Sequence, residues 1–344
     1  MCGIAGIYTK SPALQARLGE RLARMLEQLS FRGPDSAGVA FYRDPAPAGS
    51  CKVSLCASDP ACDWGAVAAE LADAFEDASA PRVRASHATI VVAAEAQEVQ
   101  AWLAAEHPEL RRMSAGAAIE IYKQAGPPAE FVRRFGIEEL DGSHALGHTR
   151  MATESRVTTE HSHPFSTGLD LCLVHNGSLS NHNRLRRKLV REGIQFHTDN
   201  DSEVAAGYLT WRLREGASLE QALEGCLQDL DGFYTFAVGT ADGFAVLRDP
   251  IACKPAVMAE TDEWVAIASE YRAIAALPGA EDAVSWEPEP GRVYVWGPTH
   301  AAHAAGPDGA AGPASPHGPA SPHGPASPHG PAGAARRAGA ALVA

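Results

Sequence analysis

The run Cys2-Gly-Ile-Ala-Gly-Ile-Tyr8 opens the chain as a short apolar segment with β character, and the reading of the fold starts there. Similar runs follow at Gly38–Tyr42, Leu171–His175, Phe233–Gly239, Phe244–Arg248, Trp264–Ala268 and Arg292–Trp296. Several lie at hairpin-like spacing, with too little chain between them for a crossover helix. Helical signals are fewer. Ser11-Pro12 precedes Leu14, Leu18, Leu22, Met25 and Leu29, an apolar series at helical spacing. Ser202 to about Arg214, stopped near Gly216, is a second helix. Ser218 and Gln221 form a capping pair ahead of Leu223, Cys226, Leu227 and Leu230. The pattern predicts an α+β chain of antiparallel sheets covered by helices, not a doubly wound parallel sheet.

The whole chain has 344 residues, 45% of them hydrophobic and 21% charged, the balance of a globular protein with a sizeable core. Length alone suggests roughly two domains of about 150 residues, or one large β-rich domain. Its 29 Lys+Arg and 42 Asp+Glu give a net charge of −13, against a protein that holds phosphate backbones through clustered cations. No apolar run approaches the ~20 residues needed to span a bilayer. The N-terminus lacks the charged and longer apolar regions of a signal peptide. Seven scattered cysteines do not form a disulfide framework. A cytoplasmic protein is expected.

From about Gly306 to Ala344 the sequence is Ala, Gly, Pro, Ser and His, with the block PASPHG beginning at Pro313, Pro319 and Pro325. Such a segment buries too little apolar surface to offset its chain entropy and is expected to be a disordered tail. Its His317, His323 and His329 read as solvated residues more readily than as metal ligands. Residues 44–142 look like an insertion, Ala- and Glu-rich, with a weak strand at Thr89–Ala94 and helical pieces near Val99–Leu110 and Ala129–Phe135. Cys51, Cys56 and Cys62 lie in it, but a fourth thiol for an iron–sulfur cluster is not nearby.

Cys2 is the sharpest chemical feature. Removal of Met1 makes it the N-terminal residue, with a thiol beside a free α-amine whose ordinary pKa is about 7.7–8.0. Such an amine can serve the thiol as a general base. By itself Cys2 reads equally as a small apolar residue of an edge strand. Four further motifs are present: Phe31-Arg32-Gly33-Pro34-Asp35-Ser36-Ala37-Gly38, Gly147-His148-Thr149-Arg150-Met151-Ala152-Thr153, His175-Asn176-Gly177 and Asn200-Asp201-Ser202-Glu203.

Together, and in this order after Cys2, these motifs resemble the class II glutamine amidotransferases, whose N-terminal cysteine hydrolyses glutamine. The resemblance covers residues 2–298, with Arg248-Asp249-Pro250 and Ala268-Ser269-Glu270 as further similar segments. It implies the four-layer αββα sandwich of the N-terminal nucleophile hydrolases. It also implies Cys2 as nucleophile, with the Asn176 amide and the Gly177 backbone N–H as the oxyanion hole. An uncharged amide donor and a glycine that lets backbone approach closely suit that task. A hairpin turn is the competing reading of Asn176-Gly177.

Arg150 suits the α-carboxylate of free glutamine through a bidentate pair, and Asp201 suits its α-ammonium. A surface ion pair for Arg150 and a helix cap for Asp201 are the plainer readings of the same residues. Thr153 matches a ligand position of the family, His148 is a weaker candidate, Arg32 positions the Cys2 region or the substrate, and Asp35 shapes its turn. Met151 stands where several relatives carry Trp.

The implied reaction needs no metal or organic cofactor. Nothing after residue 298 is long enough for an acceptor-using synthase, and no phosphate-binding loop is present, so the acceptor chemistry is expected on another polypeptide or not at all. The chain is similar to the separately encoded amidotransferase subunits of glutamate-synthase-like complexes. Those include N-methylglutamate synthase, whose partner subunits carry flavin and iron–sulfur centres. The same residues leave room for a stand-alone amidohydrolase or a non-catalytic scaffold.

Overall fold

The computed structural model describes residues 2–152 and 156–297. The expected tail at 306–344 and Thr153 therefore lie outside the described residues. The chain begins with β1 (Gly3–Thr9), a short α1 (Pro12–Gln15), α2 (Leu18–Gln28) and β2 (Ser36–Tyr42). The apolar series expected to form one helix is thus broken at Ala16-Arg17. The break re-aims α2, whose Gly19 N–H donates to the Leu140 carbonyl at 2.7 Å.

Next come β3 (Cys51–Cys56), α3 (Trp64–Phe75), β4 (Arg82–Arg84), β5 (His87–Val92), α4 (Ala96–Glu106) and β6 (Arg111–Gly116). Their strands make a separate antiparallel sheet in the order β4-β5-β3-β6. It has its own core, in which Val53, Leu55 and Ile90 meet Leu71 of α3 and Val99 and Leu103 of α4.

The stretch after it, β7 (Ile119–Ala125) and α5 (Pro128–Phe135), returns to the body of the protein. β7 pairs with β2, and Phe131, Val132 and Phe135 of α5 join the core beneath α2. The insertion expected over 44–142 therefore divides: only the part up to about residue 116 forms a separate sheet. Cys51 and Cys56, five residues apart on β3, face opposite sides and fall in two different cores, so they do not converge on one cluster.

The remaining elements are β8 (His144–Arg150), β9 (Cys172–Leu179), α6 (His182–Arg191), α7 (Asp201–Arg214), α8 (Leu219–Asp229), β10 (Gly232–Thr240), β11 (Gly243–Arg248), β12 (Val257–Glu260), β13 (Trp264–Ala268), α9 (Tyr271–Ala275), β14 (Val284–Trp286) and β15 (Val293–Trp296). One sheet runs β14-β12-β13-β1-β8-β2-β7 and the other β15-β11-β10-β9, every pairing antiparallel.

Side-chain alternation explains the layering. Ala5 and Ile7 of β1 pack under α2, whereas Ile4 points to the second sheet. Cys172 and Val174 of β9 meet that inner face, whereas Leu173 turns outward to α6, α7 and α8. Three cores between four layers give an αββα sandwich. The strand period also sets the chemistry, because Cys2 shares the inner-facing parity of Ile4, and Asn176 that of Cys172 and Val174.

Candidate active site

Cys2 leads into β1, in the middle of the larger sheet. Its carbonyl oxygen accepts from Arg32 Nε at 2.9 Å and from Asn176 Nδ2 at 3.0 Å. The Cys2 thiol donates to the Met151 carbonyl at 3.6 Å. Residues from β1, the loop after α2, the end of β8 and β9 thus meet around one residue. Arg32 is held in turn by Glu270, its Nη1 lying 2.6 Å from Oε1. Asn176 Nδ2 donates its second hydrogen to Ser269 Oγ at 2.9 Å, and that hydroxyl also receives the Ile4 N–H at 2.9 Å. Ser269 and Glu270 fall in the Ala268-Ser269-Glu270 segment, to which the sequence alone assigns no role. Its signal is local, whereas the contact it makes spans the whole chain.

The Arg32 and Arg150 motifs are stitched together. Asp35 N–H donates to the Arg150 carbonyl at 3.0 Å, and Asp35 Oδ2 accepts from Ala152 N–H at 2.8 Å. A Cβ on Gly33 would sit 2.2 Å from the Thr149 carbonyl carbon, so the two loops touch backbone to backbone. Asp35 therefore fastens the neighbouring loop as well as shaping its own turn. Arg150 is buried, at 5% exposure. Its Nη1 donates to the Arg156 carbonyl at 3.0 Å. Burial lowers its pKa, opposed by the charges of Cys2, Asp35 and Asp201, which places all three within its electrostatic reach.

Asn176-Gly177 is no hairpin turn: both residues lie inside β9, opposite Thr235 and Tyr234 of β10. Gly177 has φ +153°, and a Cβ there would lie 2.0 Å from the Phe233 carbonyl oxygen. Nor does Asp201 cap its helix. Asn200 does, accepting the Ser202 N–H at 2.8 Å, while Asp201 Oδ2 accepts the Leu179 N–H at 2.9 Å.

Behind Asn176 lies a group of buried imidazoles. His148 Nε2 is 3.1 Å from both Asn176 Oδ1 and the His175 carbonyl oxygen. His163 Nε2 and His175 Nδ1 lie 2.9 and 2.8 Å from Ser202 Oγ. Burial pushes the pKa of His148 down to about 3, that of His163 well below its ordinary value, and that of His175 downward. All three are neutral at pH 7. His148, a weak candidate for substrate in the sequence, instead supports Asn176. His163 and Ser202 carry no sequence signal beyond their neighbours.

Comparisons with known proteins agree with this architecture. The family model described as a glutamine amidotransferase domain matches residues 148–276. The chain is 54% identical over 303 residues to the glutamine amidotransferase-like protein GlxB of Rhizobium meliloti strain 1021, covering 88% of this chain and 100% of that relative. It is 37% identical over 145 residues to an amidophosphoribosyltransferase of Archaeoglobus fulgidus, covering 41% of this chain and 32% of that one. The structure of glutamine phosphoribosylpyrophosphate amidotransferase from B. subtilis superposes with a TM-score of 0.55 at 20% identity, over 87% of this chain and 48% of that chain, a likeness of fold. A sandwich of this type with Cys2, Arg150, Asn176 and Asp201 at one end, and a relative matched over its full length, carry one conclusion: the chain belongs to the class II glutamine amidotransferase family.

Proposed function

We propose that the chain, with Met1 removed, hydrolyses L-glutamine through a Cys2 thioester and delivers the ammonia to a separate synthase. The observation that carries this reading is the doubly held Cys2 carbonyl. Arg32 and Asn176 fix the backbone of the nucleophile, and Asn176 brings an amide donor to that same residue. Arg150 takes the glutamine α-carboxylate and Asp201 its α-ammonium, which selects the free amino acid over glutaminyl residues in proteins.

The Cys2 α-amine accepts the thiol proton as sulfur attacks the side-chain carbonyl carbon. Negative charge moves onto the carbonyl oxygen. One Asn176 amide hydrogen, now given to Cys2 or Ser269, turns to that oxyanion together with the Gly177 N–H. Collapse breaks the C–N bond, ammonia leaves with the proton returned by the amine, and water then cleaves the thioester to glutamate. Thr153, on its family position, would complete the glutamine contacts. On the resemblance of its motif segments, a flavin- and iron–sulfur-containing synthase of the glutamate-synthase or N-methylglutamate synthase type is the chemical fit for the ammonia acceptor.

The test is glutamate release from glutamine by the native chain, alone and with whatever co-purifies, against Cys2→Ala. The variant should lose turnover by about 10⁴-fold or more while staying folded. Unchanged turnover in Cys2→Ala, or an intact mass that retains Met1 in the active form, overturns the reading.

A further inference from the structure

Among the described residues, the imidazole group behind Asn176 is the part of the molecule that glutamine hydrolysis leaves unused. It also carries a physical cost. His148 Nδ1, His163 Nδ1 and His175 Nε2 are buried and have no hydrogen-bond partner. A buried polar atom left unpaired costs about 1–3 kcal/mol. An aromatic ring in place of His148 would remove one unpaired nitrogen but leave Asn176 Oδ1 and the His175 carbonyl without the Nε2 donor, so the imidazole is matched to those two acceptors.

The arrangement has one consistent proton assignment on the His148 side. Nε2 faces the His175 carbonyl oxygen, which can only accept, so Nε2 carries the hydrogen. Asn176 must then turn its Oδ1 toward His148 and its NH₂ the other way, toward Cys2 and Ser269. A side-chain amide can rotate by half a turn at little steric cost. The flipped form would set an amide N–H₂ against the Nε2–H donor and aim an acceptor at the Cys2 carbonyl. The imidazole ring itself packs against His163 in a tilted contact, 4.1 Å between centroids, and His163 is held by Ser202.

We propose that His148 is a positioning residue: by donating from Nε2 to Asn176 Oδ1 it locks the orientation of the amide that faces the nucleophile. It touches neither substrate nor thiol and acts only through Asn176. The inference rests on the assignment of Asn176 as oxyanion donor and deepens it.

The experiment compares His148→Phe, His148→Gln and Asn176→Ala in the full chain, reading kcat and KM for glutamine, thermal unfolding, and the rate at which iodoacetamide alkylates Cys2. His148→Phe removes the donor and the unpaired nitrogen, at the cost of a larger ring and of leaving Asn176 Oδ1 and the His175 carbonyl without that donor. It should stay folded at the assay temperature, keep its KM and its alkylation rate, and lose kcat by about 10- to 100-fold. His148→Gln places an amide donor at similar reach and should recover most of that loss.

Asn176→Ala should lose about 10²- to 10³-fold. If Asn176→Ala retains full turnover, the oxyanion assignment itself fails. If Asn176→Ala is crippled while His148→Phe turns over like the parent, the positioning role alone fails. A fall in kcat that tracks early unfolding in both His148 variants also overturns it, because a purely structural residue would behave that way.

Discussion

The joint that fastens the inserted sheet and the open end of the sandwich both bury polar groups, but on different terms. At the joint, Glu120 of β7 is fully buried and takes bonds from Lys52 of β3 at 3.0 Å, Arg82 of β4 at 2.8 Å and Tyr122 at 2.9 Å. Opposite charges are matched and the geometry is closed. At the site end, the buried imidazoles are neutral, bonded to Asn176 and Ser202, and left with unpaired nitrogens. The first arrangement resists separation of two modules. The second spends stability around the Asn176 amide that holds the Cys2 carbonyl, as sites do when preorganisation matters more than cohesion. Single substitutions can break that contrast or sharpen it.

The largest effect is expected at Gly177. An alanine there must fit a Cβ now 2.0 Å from the Phe233 oxygen and 2.6 Å from His175 Nε2. Relief requires β9 to move from β10, and that displaces Asn176 on the preceding residue. Gly177→Ala should reduce glutamine turnover at least about 10³-fold, more than the removal of a single oxyanion donor normally does. Steady-state kinetics check this, and near-parental kcat would show that the strand end is softer than its contacts indicate.

Next is Glu120→Leu, which leaves the fully buried Lys52 ammonium with the Arg43 carbonyl, 2.7 Å away, as its remaining bond. Breaking one side of a buried pair costs about 3–5 kcal/mol. Urea unfolding should show a loss of that size, with kcat and KM for glutamine unchanged below the transition. A comparable loss of kcat would mean that the insert feeds the site, and the contrast between joint and site would collapse.

Two histidines sharpen the comparison further. His87 of β5 sits against Tyr122 and Phe135, and burial pushes its pKa down to about 3, as it does for His148. Each stays unprotonated in the folded chain while the unfolded chain takes up a proton near pH 6.5. Stability therefore falls as pH drops below about 6.5 and keeps falling toward the folded pKa. By pH 5 each such group costs about 2 kcal/mol. Both His87→Phe and His148→Phe should remove that share of the acid sensitivity, measured by denaturation at pH 7 and pH 5. His148→Phe alone should lose turnover.

Legibility in the sequence follows the range of the interactions. Short apolar runs of β type locate β1, β2, β9, β10, β11, β13 and β15, because such a run is written into consecutive residues. The Ala-rich α3 and the polar α6, with only Leu185 and Leu189 buried, give no comparable pattern. β7 reads with the insertion because nothing in Ile119–Ala125 tells which sheet it joins; its pairing with β2 does. Cys2, Arg32, Arg150, Asn176 and Asp201 are legible through their motifs. The bond from His148 to Asn176 is not, since it crosses from one sheet to the other. Its partners become visible only once both strands are laid face to face.

The smallest effect belongs to the most local feature. Ser218 Oγ accepts the Gln221 N–H at 3.1 Å and Gln221 Oε1 accepts the Ser218 N–H at 3.0 Å, the capping box that the sequence predicts. Ser218→Ala removes one half of it. The helix it starts, α8, contributes Ala222, Leu223 and Cys226 to the outer core over β10, on the side of the second sheet away from Cys2. The cost should be about 1 kcal/mol of stability, as for other N-caps. The cap is partly exposed and water replaces part of what is lost, which keeps the figure at that size. Glutamine turnover should be unchanged, because α8 packs on the outer face of the second sheet and not on the residues around Asn176. A shift in KM or kcat from this substitution would mean that strain in the outer layer travels through β10 into β9, and the site would then depend on the cohesion of the body as much as on its own imidazoles.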